Sequence, residues 1–161
     1  MHAFINFIYL LVTVVMAQAT VVVLAFKHRT HVPLVIPFPV KRDTNRGRTI
    51  AGGIIVLNIG YLRKVDFNWG VIKKTVYHEY RHVWQLVYHT KVFLWWGQHR
   101  ELYKRYYMNN VCAIEADARA FSNSLGKESR VDLLLKYNAL WLKDRFVLRG
   151  GRFLLKRPSV F

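Results

Sequence analysis

The stretch VYHEYRHVWQ, residues 76–85, decides how the rest of this sequence is interpreted. It contains the pattern H-E-x-x-H, with imidazoles at His78 and His82 and a carboxylate at Glu79. Apolar residues recur around it at helical spacing, which predicts a helix from about Val71 to His89. Two histidines four residues apart lie on one face of a helix, so both imidazoles can bind one ion. The pattern therefore predicts a metal site on this helix.

Zinc is the metal that this pattern favours, because neutral imidazole is a good zinc ligand. Two imidazoles need a third ligand from elsewhere in the chain and leave a further position open. Glu79 projects toward that open position, where its carboxylate can take a proton from an attacking water. We therefore expect Zn²⁺ as cofactor and Glu79 as general base. The alternative interpretation is a helix whose two histidines are solvated or satisfied within a core.

The third ligand has to come from downstream of the motif. The acidic candidates before the last predicted helix are Glu101, Glu115, Asp117 and Glu128. Glu115 lies in an alanine-rich helical run, where small side chains let two helices approach closely, and Ala118 on the same face supplies clearance. Asp117 lies about 200° around the helix from Glu115, so both carboxylates cannot face the ion. Glu115 is the predicted third ligand.

Other side chains near the motif have open roles. Cys112 shares the helix face of Glu115 and is either a small core residue or a thiolate ligand. Gln85, one turn beyond His82, either forms a hydrogen bond near the site or fixes the two helices together. The sequence does not identify the residue that orients the ligand histidines, and Asp117 is one candidate for that role. Candidate donors to a developing oxyanion are His99, Tyr103, Tyr106, Tyr107 and Arg119.

The pattern HExxHxxQ at residues 78–85, followed by EAxA at residues 115–118, resembles the gluzincin-type zincin metallopeptidases. The nearest likeness is to small phage and bacterial proteins that combine HExxHxxQ with a later EAxA helix. It covers about residues 49–121. The resemblance implies zinc, peptide hydrolysis and a substrate that lies extended as an added strand along the segment preceding the motif helix. It names no particular substrate.

The fold class that follows is α+β. We expect a minimal zincin-like domain, with a short β-sheet, an active-site helix and a ligand helix, behind an N-terminal transmembrane helix. Residues 1–28 form the anchor or a signal peptide, residues 29–48 an extended connector rich in proline and basic residues, and residues 49–161 the metallopeptidase domain. Thr49–Asn58 is predicted as one or two strands, with Gly52-Gly53 as a bulge or a close backbone approach.

Two further helices are expected downstream of the motif helix. Apolar periodicity predicts one from about Leu102 to Ser124 and another from about Val131 to Leu148. Trp95-Trp96 lies between the motif helix and the first of these two helices. It is interpreted either as a contact with the membrane interface or as ordinary packing.

The N-terminal segment from Ala3 to Phe26 contains no charged residue and no proline. At a rise of about 1.5 Å per residue, a helix of this length can cross the hydrocarbon core of a bilayer, which is about 30 Å thick. Lys27 and Arg29 follow it, so the positive-inside rule places the domain in the cytoplasm behind a single-pass anchor. Two alternatives remain open: a secreted peptidase released by cleavage near Ala19, and a helix buried in the core.

Charge narrows the choice of partners. Twenty-five Lys and Arg residues face nine Asp and Glu, which gives a formal net charge of +16. Such an excess favours anionic membrane lipid as a partner, with general solubility as the second explanation. The basic residues are scattered and form no nucleic-acid-binding motif, so nucleic acid is a less favoured partner that is not excluded. One cysteine excludes an intramolecular disulfide.

These features together predict a membrane-anchored zinc metallopeptidase that acts on a peptide or protein. The alternative is a non-catalytic, basic, membrane-associated protein that retains a zincin fold for a structural or interaction role. Metal content and the effect of replacing Glu79 separate the two.

Overall fold

The structure, a computed structural model, describes residues 2–39, 46–50, 53–88 and 113–127. Its elements in chain order are helix α1 (His2–His28), strands β1 (Leu34–Phe38), β2 (Gly47–Ile50) and β3 (Ile54–Asn58), and helices α2 (Ile59–Lys64), α3 (Trp69–Tyr88) and α4 (Ala113–Asn123). The fold is mixed α and β, as predicted. The helix predicted at residues 131–148 and the first part of the one predicted at 102–124 lie outside the described residues.

The three strands form one sheet in the order β1-β3-β2. Where one or two strands are predicted within Thr49–Asn58, the structure has two, β2 and β3, which pair antiparallel, and β2 begins two residues before the predicted range. The segment interpreted as an extended connector contains β1, which pairs parallel with β3. Pro37 is tolerated there because β1 lies at an edge of the sheet, where a missing N–H costs no ladder bond. The central strand β3 carries the sheet's contribution to the core, since four of its five residues are buried.

The predicted close approach at the glycine pair is confirmed at Gly53. Its φ of +83° lies in the left-handed region that favours glycine. A Cβ atom at this position would lie 2.1 Å from Nε2 of His31, so a larger residue would collide with that ring. The glycine therefore lets the turn into β3 pass beside the segment that precedes β1.

Helix α3 begins after Asn68, whose side-chain oxygen accepts the backbone N–H of Val71 at 3.3 Å. It matches the predicted helix to within two residues at each end. Residues 79–85 are all buried, so neighbouring elements cover this part of the helix on every side. Helix α4 packs against it, and Ala118 at the contact is fully buried, as its expected clearance role requires.

Helix α1 packs against the domain. Residues on one of its faces, including Ala17, Val21 and Leu24, belong to the hydrophobic core with β3 and α3. Burial raises the pKa of Tyr80 to about 12, so its hydroxyl stays protonated and donates to the carbonyl of Leu24. By length and composition the same helix is apolar enough to cross a membrane, with a mean hydropathy of 2.4 over its most apolar part.

Gln18 ties α1 to the sheet, and we expect its loss to weaken the fold. Its amide donates to the carbonyl of Pro33 at 3.0 Å and accepts the N–H of Val35 at 2.8 Å. Gln18→Ala leaves these partly buried backbone groups without their partner, which should lower the free energy of unfolding by about 1–3 kcal/mol. Urea unfolding in detergent measures this loss. The control is Thr20→Ala, which removes an exposed bond within the same helix; equal losses would contradict the role of Gln18.

Candidate metal centre

Three donor atoms from two helices converge on one point. Nε2 of His78 lies 3.2 Å from Nε2 of His82. One carboxylate oxygen of Glu115 lies 3.3 Å from the former nitrogen, and the other lies 3.4 Å from the latter. The structure thus brings together the three residues that the sequence predicts as metal ligands, and their donor atoms all lie within 4.8 Å of one another.

These distances fit a zinc ion. Zinc bonds to nitrogen and carboxylate oxygen are about 2.0–2.1 Å, so the donors of a tetrahedral site lie about 3.3–3.4 Å apart. The two nitrogens lie 3.2 Å apart, and each lies 3.3 or 3.4 Å from a different carboxylate oxygen of Glu115, so the observed separations are close to that value. Two imidazoles and one carboxylate make up three protein ligands, which is the number that catalytic zinc sites use.

The site is open on one side. The side chains of His78 and Glu115 are 21% and 25% exposed, whereas that of His82 is 9% exposed. His82 therefore forms the floor of the site and the other two residues form its rim. A partly exposed ion can receive a substrate, whereas structural zinc sites are closed by four protein ligands.

The electrostatics of the site couple the carboxylate to the imidazoles. Burial alone would raise the pKa of Glu115, but hydrogen bonds from His78 and His82 outweigh it and hold that pKa well below its usual range. Burial alone would lower the pKa of His82, but the hydrogen bond to Glu115 and the charges of Glu79 and Glu115 raise it. The carboxylate of Glu115 and the imidazole of His82 therefore stabilise each other's charged forms.

This coupling predicts how stability depends on pH in the metal-free protein. The depressed pKa of Glu115 contributes stability above its unfolded value of 4.5, which is lost as pH falls through the folded pKa. The raised pKa of His82 contributes stability that is full below 6.5 and lost as pH rises through the folded pKa. Both contributions overlap between pH 4.5 and 6.5.

The measurement is urea unfolding of chelator-treated protein across the pH range, for wild type and Glu115→Gln. The difference in the free energy of unfolding between wild type and Glu115→Gln should be greatest between pH 4.5 and 6.5 and smaller on either side. Asp66→Asn, which changes an exposed carboxylate in the turn before α3, is the matched control. A difference that stays constant with pH would contradict the coupling.

Glu79 follows the first ligand histidine and is held by the edge strand β2. Its side chain is buried, and its Oε2 lies 2.9 Å from the hydroxyl of Thr49. The same hydroxyl lies 2.8 Å from the carbonyl of Glu79, so its one proton is shared between the two oxygens. Gly47 allows this approach, because a Cβ atom there would lie 3.1 Å from Cγ of Glu79.

The pair Arg81 and Asp117 is a feature that the sequence analysis missed. The guanidinium donates from Nε to Oδ2 at 2.6 Å and from Nη2 to Oδ1 at 3.1 Å, and both side chains are fully buried. Asp117 therefore does not join His78, His82 and Glu115, as its angle from Glu115 predicts. One feature of the sequence could have indicated this pair: Arg81 shares a helix face with Tyr77 and Trp84. A cation on such an aromatic face, when buried, needs a partner of opposite charge.

Of the predicted candidate donors to an oxyanion, one lies among the described residues and the rest do not. Arg119 is exposed on α4. The others lie outside the described residues: His99, Tyr103, Tyr106 and Tyr107. So do Cys112, Trp95 and Trp96, with the acidic alternatives Glu101 and Glu128. The oxyanion donor therefore stays unassigned.

A scan against models of protein families, a search of curated proteins and a search of solved structures each found no match to this chain.

Proposed function

We propose that this protein is a membrane-bound zinc metallopeptidase, with His78, His82 and Glu115 as metal ligands and Glu79 as general base. The observation that carries the proposal is the convergence of His78, His82 and Glu115, whose side chains approach one another at 3.2, 3.3 and 3.4 Å, near the donor spacing of a tetrahedral zinc site. A carboxylate next to one of these ligands, in a site that is open to solvent, supports catalysis.

When bound, a zinc ion supplies Lewis-acid polarisation of a substrate carbonyl and acidifies water. The chain's own residues move the proton. Thr49 holds the carboxylate of Glu79 at Oε2, which leaves Oε1 to take a proton from the attacking water. The same oxygen then delivers the proton to the amine that leaves, so one carboxylate serves both halves of the reaction.

The position of β2 supports an extended peptide as substrate. Strand β2 is an edge of the described sheet, so its outer backbone groups can pair with an added strand. The same strand carries Thr49, which contacts Glu79, and it packs against α3. A peptide paired with β2 therefore passes close to the general base.

The hydrolytic reaction is tested on the full chain in lipid vesicles with a library of quenched fluorescent peptides. Zinc-loaded protein should cleave extended peptides, a chelator should stop cleavage, and added zinc should restore it. Protein that takes up no zinc would overturn the proposal. Protein that binds zinc without cleaving any peptide would favour the non-catalytic alternative.

Membrane association is supported by the outer face of α1. Large apolar residues of this helix are exposed along its whole length, and many of them share one face: Phe4, Ile8, Leu11, Val12, Val15, Val23 and Phe26. The opposite face of α1 packs on the domain. The helix is therefore apolar on one side because it contributes to the core, and we infer that it is apolar on the other because it contacts lipid. Exposed Lys27 and Arg29 at its end and the net charge of +16 suit anionic lipid headgroups.

We infer that α1 is retained and lies along the membrane surface. Cleavage near Ala19 would remove Ala17 from the core and the two hydrogen bonds of Gln18. Tyr9 stacks on Phe67 near one end of α1, and the carbonyl of Leu24 accepts a hydrogen bond from Tyr80 near the other end. Because these contacts lie along most of the helix, a helix that crossed the membrane and kept them would place the domain in the lipid.

Thiol labelling distinguishes lying from crossing. In a Cys112→Ser background, Ala3→Cys and Val32→Cys mark positions before and after the helix. With protein bound to preformed vesicles, an impermeant reagent added outside should label both positions. Labelling of position 32 alone, until the vesicles are lysed, would show that the helix crosses.

A further inference from the structure

A chain of buried hydrogen bonds runs from Arg81 to the ligand His82. Arg81 forms two hydrogen bonds to Asp117, and Gln85 donates from Nε2 to Oδ2 of the same carboxylate at 2.8 Å. The other end of the amide, Oε1 of Gln85, lies 2.8 Å from Nδ1 of His82. All four residues are buried, with exposures between 0% and 7%.

The polarity of this chain is fixed at its far end. A guanidinium is always charged and only donates, so the carboxylate of Asp117 beside it is an acceptor. The atom of Gln85 that meets Asp117 is therefore its NH₂ group. This orientation turns the amide oxygen of Gln85 toward His82, and an amide oxygen only accepts. The bond at 2.8 Å then requires the proton of the neutral imidazole to be on Nδ1.

The consequence reaches the metal site. With the proton on Nδ1, the lone pair of a neutral His82 is on Nε2, the atom that faces His78 and Glu115. A ligand histidine has to present this lone pair, and a partner at its other nitrogen fixes both the tautomer and the ring orientation. Both helices contribute to this support, because Gln85 lies on α3 and Asp117, which orients Gln85, lies on α4.

We propose that Gln85, oriented by Asp117 and Arg81, is the positioning residue that holds His82 in the tautomer able to bind metal. This inference rests on the metal site proposed above. It assigns Asp117 a role two residues beyond the ligand Glu115, so that α4 contributes one carboxylate to the ion and a second to the support of a ligand.

The first test needs no variant. Nitrogen-15 NMR of the imidazole rings in metal-free, full-length protein, recorded as pH is increased until the ring of His82 has lost its charge, reports which nitrogen of the neutral ring carries the proton. We expect His82 to be protonated on Nδ1. A proton on Nε2 in the wild type would overturn the proposal, whether or not any variant folds.

The second test compares Gln85→Leu with Thr75→Val, a control that also replaces a buried polar residue on α3. Gln85→Leu should lose the preference for Nδ1 and bind zinc about 10–100-fold more weakly, as measured by competition with a chelator. Thr75→Val should keep both properties. Unchanged zinc affinity in Gln85→Leu would overturn the positioning role of Gln85 but not the metal site. A wild type that binds no zinc would overturn the metal site itself.

Discussion

Glu79→Gln should lower peptide hydrolysis by a factor of about 10²–10⁴ and leave zinc bound. Glutamine keeps the size of the side chain and still accepts the hydrogen bond from Thr49, so the geometry of the site is preserved. An amide cannot take up the proton of the attacking water, and the reaction loses its general base. The kcat on a reporter peptide, measured together with zinc content, gives both results on the same sample.

The matched control is Asp66→Asn, which also exchanges a carboxylate for an amide but lies exposed, in the turn before α3. It should keep the wild-type kcat. Full activity in Glu79→Gln would show that another group acts as base. Loss of zinc in that variant would show that Glu79 supports the metal.

Arg81→Met should lower the free energy of unfolding by about 3–5 kcal/mol, the typical cost of removing one partner from a buried ion pair. Both side chains of the pair Arg81–Asp117 are fully buried, so the carboxylate left behind has no water to replace the guanidinium. Arg81 also lies 3.7 Å from the centre of the Trp84 ring, and this contact is lost as well.

The double variant Arg81→Met with Asp117→Leu should recover most of that loss, because it removes both buried charges together. Arg63→Met, an exposed arginine on α2, should change stability by less than about 0.5 kcal/mol. Urea unfolding of the metal-free proteins measures all three variants. A single variant Arg81→Met within about 1 kcal/mol of wild type would contradict the cost assigned to the lone carboxylate.

The convergence of His78, His82 and Glu115 was predictable because the spacing of the two histidines is a property of the helix itself. Residues 78 and 82 share a face whatever surrounds the helix, and the same angular argument separates Glu115 from Asp117 on α4. The small residue Ala118 marked where the two helices meet. Helix α3 and the two strands of the hairpin follow from periodicities of the same local kind.

The supporting contacts were not predictable, because they join residues far apart in the chain. Asp117 lies 36 residues from Arg81 and 32 from Gln85, and no local periodicity states which buried groups pair across two helices. The parallel pairing of β1 with β3 is likewise non-local, so Leu34–Phe38 was interpreted only as extended chain. For α1, hydropathy does not distinguish a face that meets lipid from a face that meets the core.

Zinc titration of the full-length protein is the most direct test of the central claim, that two imidazoles of α3 and one carboxylate of α4 bind one ion. Wild type should bind one equivalent of zinc, Glu115→Ala should bind it at least about 100-fold more weakly, and Asp66→Asn should match wild type. A wild type without zinc affinity, or a Glu115→Ala variant with undiminished affinity, would contradict the account.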